Sequence, residues 1–322
     1  MDRFRPFRTD QSIRDHYAEV ILKAEDLICP YFVVEGEGVH QEIPSLTDVF
    51  YFSIDELINE LSTLPQMGIN KILLFGVVDE GLKDKWGRAA YQGEPLIVRA
   101  IKAIKSYCPL ITVMSDVCLC GYTDHGHCEI DSNDETLPFL ADMALVHARA
   151  GVDYVSPSAM MDGQVQAIRE RLDSEGFQTT KILAYSAKYA SNFYGPFRDT
   201  VHSTPAFGDR KTYQMDFRNV SQALDEVRAD IDEGADWVMV KPAHTYLDVI
   251  KTVHHAFPDR QVVAYHVSGE YMMLKSAAKV GIINEIDAVW EVLTAIKRAG
   301  ATLIITYYAK MVAAILVKPC ER

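Results

Sequence analysis

Basic side chains are in short supply. Lys and Arg number 32 against 45 Asp and Glu, which leaves a net charge of −13. Nucleic acid needs a basic footprint to displace its counterions, so a nucleic-acid partner is excluded, and an anionic membrane surface is equally disfavoured. No apolar run reaches the roughly 20 residues of a membrane span. The longest weakly charged segment, 299–317, is broken by Lys310 into a strand-like and a helix-like run. The first residues carry Arg3, Arg5 and Arg8 with no apolar stretch behind them, unlike a secretory leader. The expectation is a cytoplasmic protein. Cysteines are few, six in 322 residues, too sparse for a disulfide framework. In a reducing compartment, clustered thiols point instead to metal or redox chemistry. Phosphate-loop motifs are missing. Gly36-Glu37-Gly38 lacks the third glycine and the strand-to-helix setting of a dinucleotide site.

What is present is a repeated strand-helix unit. Hydrophobic residues make up 48% and charged residues 24%, close to globular averages. Length alone suggests about two domains. The pattern suggests one. Apolar, β-branched runs occur at 27–34, 71–77, 111–117, 152–158, 181–187, 237–242, 261–267 and 302–308. They are continuous rather than alternating, as in strands buried on both faces. Between them, 54–64, 137–150, 165–172, 220–231, 247–257 and 286–299 show apolar residues at helical spacing, several ending in Gly. Eight such units predict a (β/α)8 TIM barrel over residues 27–322, with 1–26 as an extended N-terminal arm that packs on a neighbouring subunit. A doubly wound open sheet is the other architecture that fits.

A barrel places its chemistry at the C-terminal ends of its strands. Asp116, Cys118, Ser158, Lys188, Lys241, Ser268 and Tyr307 stand there. Lys188 and Lys241 end strands that should be buried. Burial and a second nearby cation both lower an amine's pKa, and a neutral amine attacks a carbonyl to form a Schiff base. Alternatively, each is a rim lysine reaching water or a carboxylate. Cys118, Cys120 and Cys128 put three thiols within eleven residues, enough to hold one soft cation. Three thiolates leave a coordination position open, as a catalytic zinc requires. If His125 or His127 closes the site, the zinc is structural. Cys29, Cys108 and Cys320 read as ordinary thiols. The long segment 192–214 combines Gly, Pro, aromatic and basic residues, as active-site lids do. Its Arg198 and Arg210 are suited to clamping a carboxylate, or they are solvated arginines of a surface loop. His147 and His266 read as packing residues.

Together these stretches resemble the porphobilinogen synthase family, also called 5-aminolevulinate dehydratases. The resemblance rests on Ser115-Asp116-Val117-Cys118-Leu119-Cys120 with His125-Gly126-His127-Cys128, Pro157-Ser158-Ala159-Met160-Met161-Asp162-Gly163, and Ser186-Ala187-Lys188-Tyr189-Ala190-Ser191. It continues through Gly208-Asp209-Arg210-Lys211, Met239-Val240-Lys241-Pro242-Ala243 and Tyr265-His266-Val267-Ser268-Gly269-Glu270-Tyr271. It implies condensation of two 5-aminolevulinate molecules to porphobilinogen, with loss of two waters, in tetrapyrrole (heme) biosynthesis. Lys241 would form the Schiff base with the propionate-side substrate, and Lys188 that with the acetate-side one. Arg198 and Arg210 would bind the acetate-side carboxylate, and Ser268 and Tyr307 the propionate-side one. Asp116, Ser158 and Tyr265 would line the pocket. Cys118, Cys120 and Cys128 match the zinc ligands of the zinc-dependent branch. Glu226 falls where some members carry an allosteric magnesium, although a helix-surface glutamate is the plainer reading. The family forms homo-octamers. It commonly has Met-Pro-Gly and then Arg after its first strand, where this chain has Leu46-Thr47-Asp48 and Tyr51-Phe52. A class I aldolase would need one lysine and no metal, so the second lysine and the thiols argue against it. A catalytically dead zinc-binding paralogue is opposed by the intact lysines and arginines.

Overall fold

A computed structural model of the chain describes residues 2–317; Cys320 lies outside them. Residues 2–26 hold only α1 (Gln11–His16) and short 3-10 turns, and almost all are exposed. β1 (Leu27–Val33) is buried throughout. A hairpin follows, β2 (His40–Ile43) and β3 (Leu46–Phe52), and then α2 (Ile54–Leu61), β4 (Lys71–Gly76), α3 (Leu96–Tyr107) and β5 (Thr112–Val117). The chain continues through α4 (Asn133–Arg149), β6 (Tyr154–Pro157), α5 (Gln164–Ser174), β7 (Lys181–Lys188), α6 (Gly195–Thr200) and α7 (Ser221–Asp232). It ends with β8 (Trp237–Lys241), α8 (Leu247–Ala256), β9 (Gln261–His266), α9 (Ser268–Lys279), α10 (Glu285–Ala299), β10 (Leu303–Thr306) and α11 (Ala309–Val317).

Among the described residues, β1 and β4 to β10 form eight neighbouring strands in chain order, and β10 returns to pair with β1. Leu27 faces Ile304 and Ile28 faces Ile305 across that seam, in parallel. The closure makes the fold a (β/α)8 TIM barrel and rules out the open sheet. Each apolar run of the sequence coincides with one of these strands, β7 reaching one residue further, to Lys188. Two domains, the figure length alone suggested, are replaced by one closed barrel.

Local chemistry sets the helix ends. Ser132 Oγ accepts from the Glu135 N–H at 3.4 Å and donates to its carboxylate at 3.1 Å, a reciprocal cap that starts α4. Asn284 Oδ1 accepts from Asp287 N at the start of α10. That helix buries Val289, Leu293 and Ile296 on one face, each contributing about 1.5–3 kcal/mol relative to exposure. It stops at Gly300, whose φ is +121° and whose added Cβ would meet the His254 ring at 2.5 Å. Only glycine fits there.

The β2–β3 hairpin departs from the expected pattern. It pairs parallel to the end of β1, Phe32 with Tyr51 and Val33 with Phe52, outside the barrel's own ring. β2 is largely exposed and polar, so no apolar run marks it. No helix among the described residues is long and apolar enough to cross a membrane.

Candidate active site

β7 and β8 run side by side, and their register sets Lys188 directly opposite Lys241. Both side chains are buried, at 5% exposure. Lys188 Nζ donates to the Ser158 carbonyl, just after β6. Lys241 Nζ lies among aromatic rings, 4.3 Å from the centroid of Tyr265, 5.0 Å from Tyr185 and 5.2 Å from both Tyr194 and Phe197. Burial, and then the charge of Lys188, push the Lys241 amine down to about 7, against the opposing pull of Asp116 and the thiols. A rim lysine in water would show none of this, so the geometry favours the chemical reading of this residue.

Asp116, near the end of β5, faces the same space. Burial and the nearby Cys120 raise its carboxyl to about 6, while the Ser158 hydroxyl and the two lysines pull it back. The result is a carboxyl that can exchange a proton near neutrality.

The segment after β5 gathers Cys118, Cys120 and Cys128, all buried, with their sulfurs within 4.8 Å of one another. Cys118 and Cys120 approach to 3.3 Å. The Cys120 thiol is held below its ordinary range, first by hydrogen bonds from Cys118 and Cys128 and also by the charges of Arg210 and Lys188. Among the described residues this is the one group of three potential metal ligands. Cys118 is raised by its hydrogen bonds to Cys120 and Cys128, and Cys128 is raised to about 11, so Cys120 is the thiol that ionises first. Three sulfurs this close together suit a soft cation such as zinc. Neither histidine joins it. His127 Nε2 lies 2.8 Å from the Phe207 carbonyl and its Nδ1 3.1 Å from the Tyr213 hydroxyl. His125 contacts the Lys85 carbonyl and the His127 N–H. A site closed by either imidazole is therefore not what the fold builds.

The segment 192–214 folds over the mouth and contains α6. Arg198, on α6, and Arg210 border a cavity of about 620 Å³. Arg210 is 5% exposed and donates to the carbonyls of Gly126 and Ser203 at 2.8 and 2.6 Å. Burial opposes its cation, but Cys120 and Cys128 overrule that and raise its pKa. Arg198 is lowered by burial and by Arg210. Both Nε–H groups lack partners. Two guanidinium groups on one cavity, each with an unspent donor, suit an anion. Gln214 lies beside them, 4% exposed, with both atoms of its amide unpartnered. Sequence reading missed it, since a glutamine in a polar loop announces nothing. Burial without hydrogen bonds marks it as a residue waiting for a polar ligand. Tyr185, beneath the lysines with its hydroxyl buried and unpartnered, was missed for a similar reason.

On the other side of Lys241, Ser268 opens α9. Its Oγ accepts from Phe197 N at 3.1 Å and donates to the Phe193 carbonyl at 3.3 Å, which ties the lid segment to the barrel. Tyr307, just after β10, lies 3.3 Å from the Tyr265 hydroxyl. Asp116, Ser158, Lys188, Lys241, Ser268, Tyr265 and Tyr307 thus converge on one end of the barrel. Glu226 does not. It sits on α7, accepts from Gln222 at 3.1 Å, and is raised by burial and by the charges of Asp162, Asp225 and Glu233. His147 and His266 are buried with hydroxyl partners, Ser115 at 2.8 Å and Thr306 at 3.1 Å, as expected of packing residues.

The sequence profile of the delta-aminolevulinic acid dehydratase family matches residues 1–315. A delta-aminolevulinic acid dehydratase from Halalkalibacterium halodurans is 50% identical over 316 residues, covering 97% of this chain and 95% of its own. One from Bacillus subtilis is 48% identical over 314 residues, 96% of each chain. The crystal structure of the delta-aminolevulinic acid dehydratase (porphobilinogen synthase) from Toxoplasma gondii ME49, in complex with the reaction product porphobilinogen, superposes with a TM-score of 0.94. It is 42% identical, and the match covers 99% of this chain and 96% of that one.

Proposed function

The chain belongs to the delta-aminolevulinic acid dehydratase family, lyases that join two molecules of 5-aminolevulinate into porphobilinogen with loss of two waters, and we propose that Lys241 and Lys188 carry that condensation. The observation that supports this most is the pair itself: two buried amines on neighbouring strands, one of them caged by four rings and pushed toward neutrality. Lys241 Nζ adds to the ketone of the propionate-side substrate. The carbonyl oxygen leaves as water, and the nitrogen gives up the protons that water carries away. Lys188 forms the second Schiff base with the acetate-side ketone, and its oxygen leaves as the second water. A C–C bond to the Lys241-bound carbon then expels the Lys241 amine, and the propionate-side amino group displaces the Lys188 amine as the ring closes, so both lysines are regenerated. Asp116 holds and returns protons beside both amines, with Ser158 against it.

The carboxylates fix which substrate goes where. Arg198, Arg210 and Gln214 take the acetate-side carboxylate, bidentately where a guanidinium fork meets it. Ser268 and Tyr307 take the propionate-side carboxylate, Ser268 exchanging its lid contacts for the substrate, and Tyr265 shields Lys241 from water. Cys118, Cys120 and Cys128 would hold zinc, which supplies Lewis acidity next to the acetate-side substrate when bound. Such ligands require a reducing compartment, consistent with a cytoplasmic enzyme whose described cysteines are all free. Glu226, with acidic neighbours on α7, is the residue we assign to an activating magnesium. Residues 1–26 form the arm that grips a neighbour in a homo-octamer, which suits the exposure of Phe4, Phe7, Tyr17 and Ile21.

The test is pyrrole formation from 5-aminolevulinate by zinc-replete, thiol-reduced protein. Wild type forms the pyrrole, while Lys241→Met and Lys188→Met do not, although both remain folded. Full activity in either variant contradicts the assignment of that lysine.

A further inference from the structure

Glu270 is fully buried, and its partners are backbone N–H groups. Oε1 accepts from His244 N at 2.7 Å and Thr245 N at 3.3 Å. Oε2 accepts from Ala243 N at 3.3 Å and Val267 N at 2.9 Å. Three of these donors lie in the turn that follows Lys241. The fourth is the residue before Ser268. One carboxylate therefore ties together the two segments that present the amine and the hydroxyl assigned to the propionate-side substrate. From the opposite side the Lys241 carbonyl accepts from Tyr189 N at 2.9 Å and from the Tyr194 hydroxyl at 3.3 Å. The start of α9 also packs closely against the lid segment. An added Cβ on Gly269 would meet the Phe193 backbone at 2.6 Å, a close approach that only glycine permits.

Burial raises the Glu270 carboxyl to about 7, against the pull of these four bonds. In its ionised form a carboxylate offers about four lone-pair sites and no donor. It is the one side-chain group able to accept all four N–H bonds at once, and bonds to a charged acceptor are the stronger kind. A glutamine would bring one acceptor oxygen and an NH2 facing further N–H donors. A short Asp at the same position would fall a methylene short.

We propose that Glu270 is a positioning residue for the condensation: it locks the Lys241 turn to the α9 N-terminus and so fixes the separation of the Schiff-base amine from Ser268. This rests on the reading that Lys241 and Ser268 serve one substrate, and it extends that reading to a residue that touches no substrate.

The experiment follows borohydride trapping of 5-aminolevulinate on Lys241, mapped by mass spectrometry, in the holoenzyme. Wild type must show the adduct; its absence overturns the reading of Lys241 itself and with it this inference. In E270Q, a displacement of the amine on the ångström scale lowers the trapping rate and kcat by on the order of 10²-fold, with a smaller change in KM. E270D keeps the charge and recovers part of the loss. L274A, which trims a buried α9 side chain one turn beyond Glu270 and removes none of the four clamp bonds, lowers the unfolding temperature but leaves the trapping rate of folded protein unchanged. Wild-type trapping in E270Q overturns the proposal. So does a loss of trapping in L274A that matches E270Q at equal loss of stability. If E270Q does not fold, E270D decides by the same comparison: trapping slower than in L274A supports the clamp, and equal trapping overturns it.

Discussion

At Lys241 the outcome depends on which form of an amine a dry pocket prefers. Burial and the opposing Lys188 favour the neutral form and set the transition at about 7. Only the neutral amine adds to a ketone, so borohydride trapping on Lys241 should be strong above that pH and fall as the pH drops through it. Removing the Lys188 charge relieves one of the two causes. In Lys188→Met, the pH of half-maximal trapping at Lys241 should therefore move upward, as read by adduct mass across a pH series; an unchanged midpoint would contradict the coupling. The sign for stability follows from proton counting. Between about 7 and the ordinary 10.5, unfolded Lys241 binds more protons than folded Lys241. Its contribution to stability thus grows as the pH rises through that window.

Single elements carry the next level of cause. The α10 terminus needs a residue at φ +121° with no Cβ, because His254 fills the space. Gly300→Ala should cost about 1–3 kcal/mol from the strained backbone alone, more with the ring contact, and His254→Ala should relieve only the steric part. Urea unfolding of the two single variants and the double variant measures both shares; equal losses in Gly300→Ala and the double variant would remove the steric share. The elements were unevenly legible in the sequence. Strands buried on both faces write themselves as apolar runs, which is why β1 and β4 to β10 stand out. β2 is short, polar and exposed, and β3 is buried only at Leu46, Val49 and Phe52, so the hairpin leaves no such trace. α9 was hidden for another reason: its first turn, Ser268-Gly269-Glu270, is polar with a glycine, and its helical start depends on Glu270 accepting from Val267 N. At the site, lysines ending apolar runs and clustered thiols are conspicuous by type. Gln214 and Tyr185 are conspicuous only once their burial and missing partners are seen.

For the whole molecule, the scarcity of basic residues acquires a meaning. A chain with net charge −13 places Lys188, Lys241, Arg198 and Arg210 at one end of its barrel, where two carboxylate substrates must enter. The thiol trio is buried but lies on the segment between β5 and α4, outside the strands that close the barrel. Chelation, or Cys120→Ala, should abolish most pyrrole formation while leaving the circular dichroism spectrum and the unfolding midpoint close to wild type. Activity that survives complete metal removal would contradict catalytic zinc. The arm makes a separate prediction. Residues 2–17 are exposed almost throughout, so their deletion should leave the barrel folded but reduce the particle mass seen by light scattering from that of the proposed octamer to a smaller species. An unchanged octamer would remove the arm from assembly.

The most direct test of the account is the position of the covalent bond. Wild-type protein is mixed with 5-aminolevulinate at neutral pH, reduced with borohydride, digested and mapped. The account predicts a reduced substrate adduct on Lys241, lost in Lys241→Met and without a counterpart on the surface lysines Lys23, Lys211 or Lys251. An unmodified Lys241 in protein that is forming pyrrole, or adducts spread over surface lysines, would contradict it.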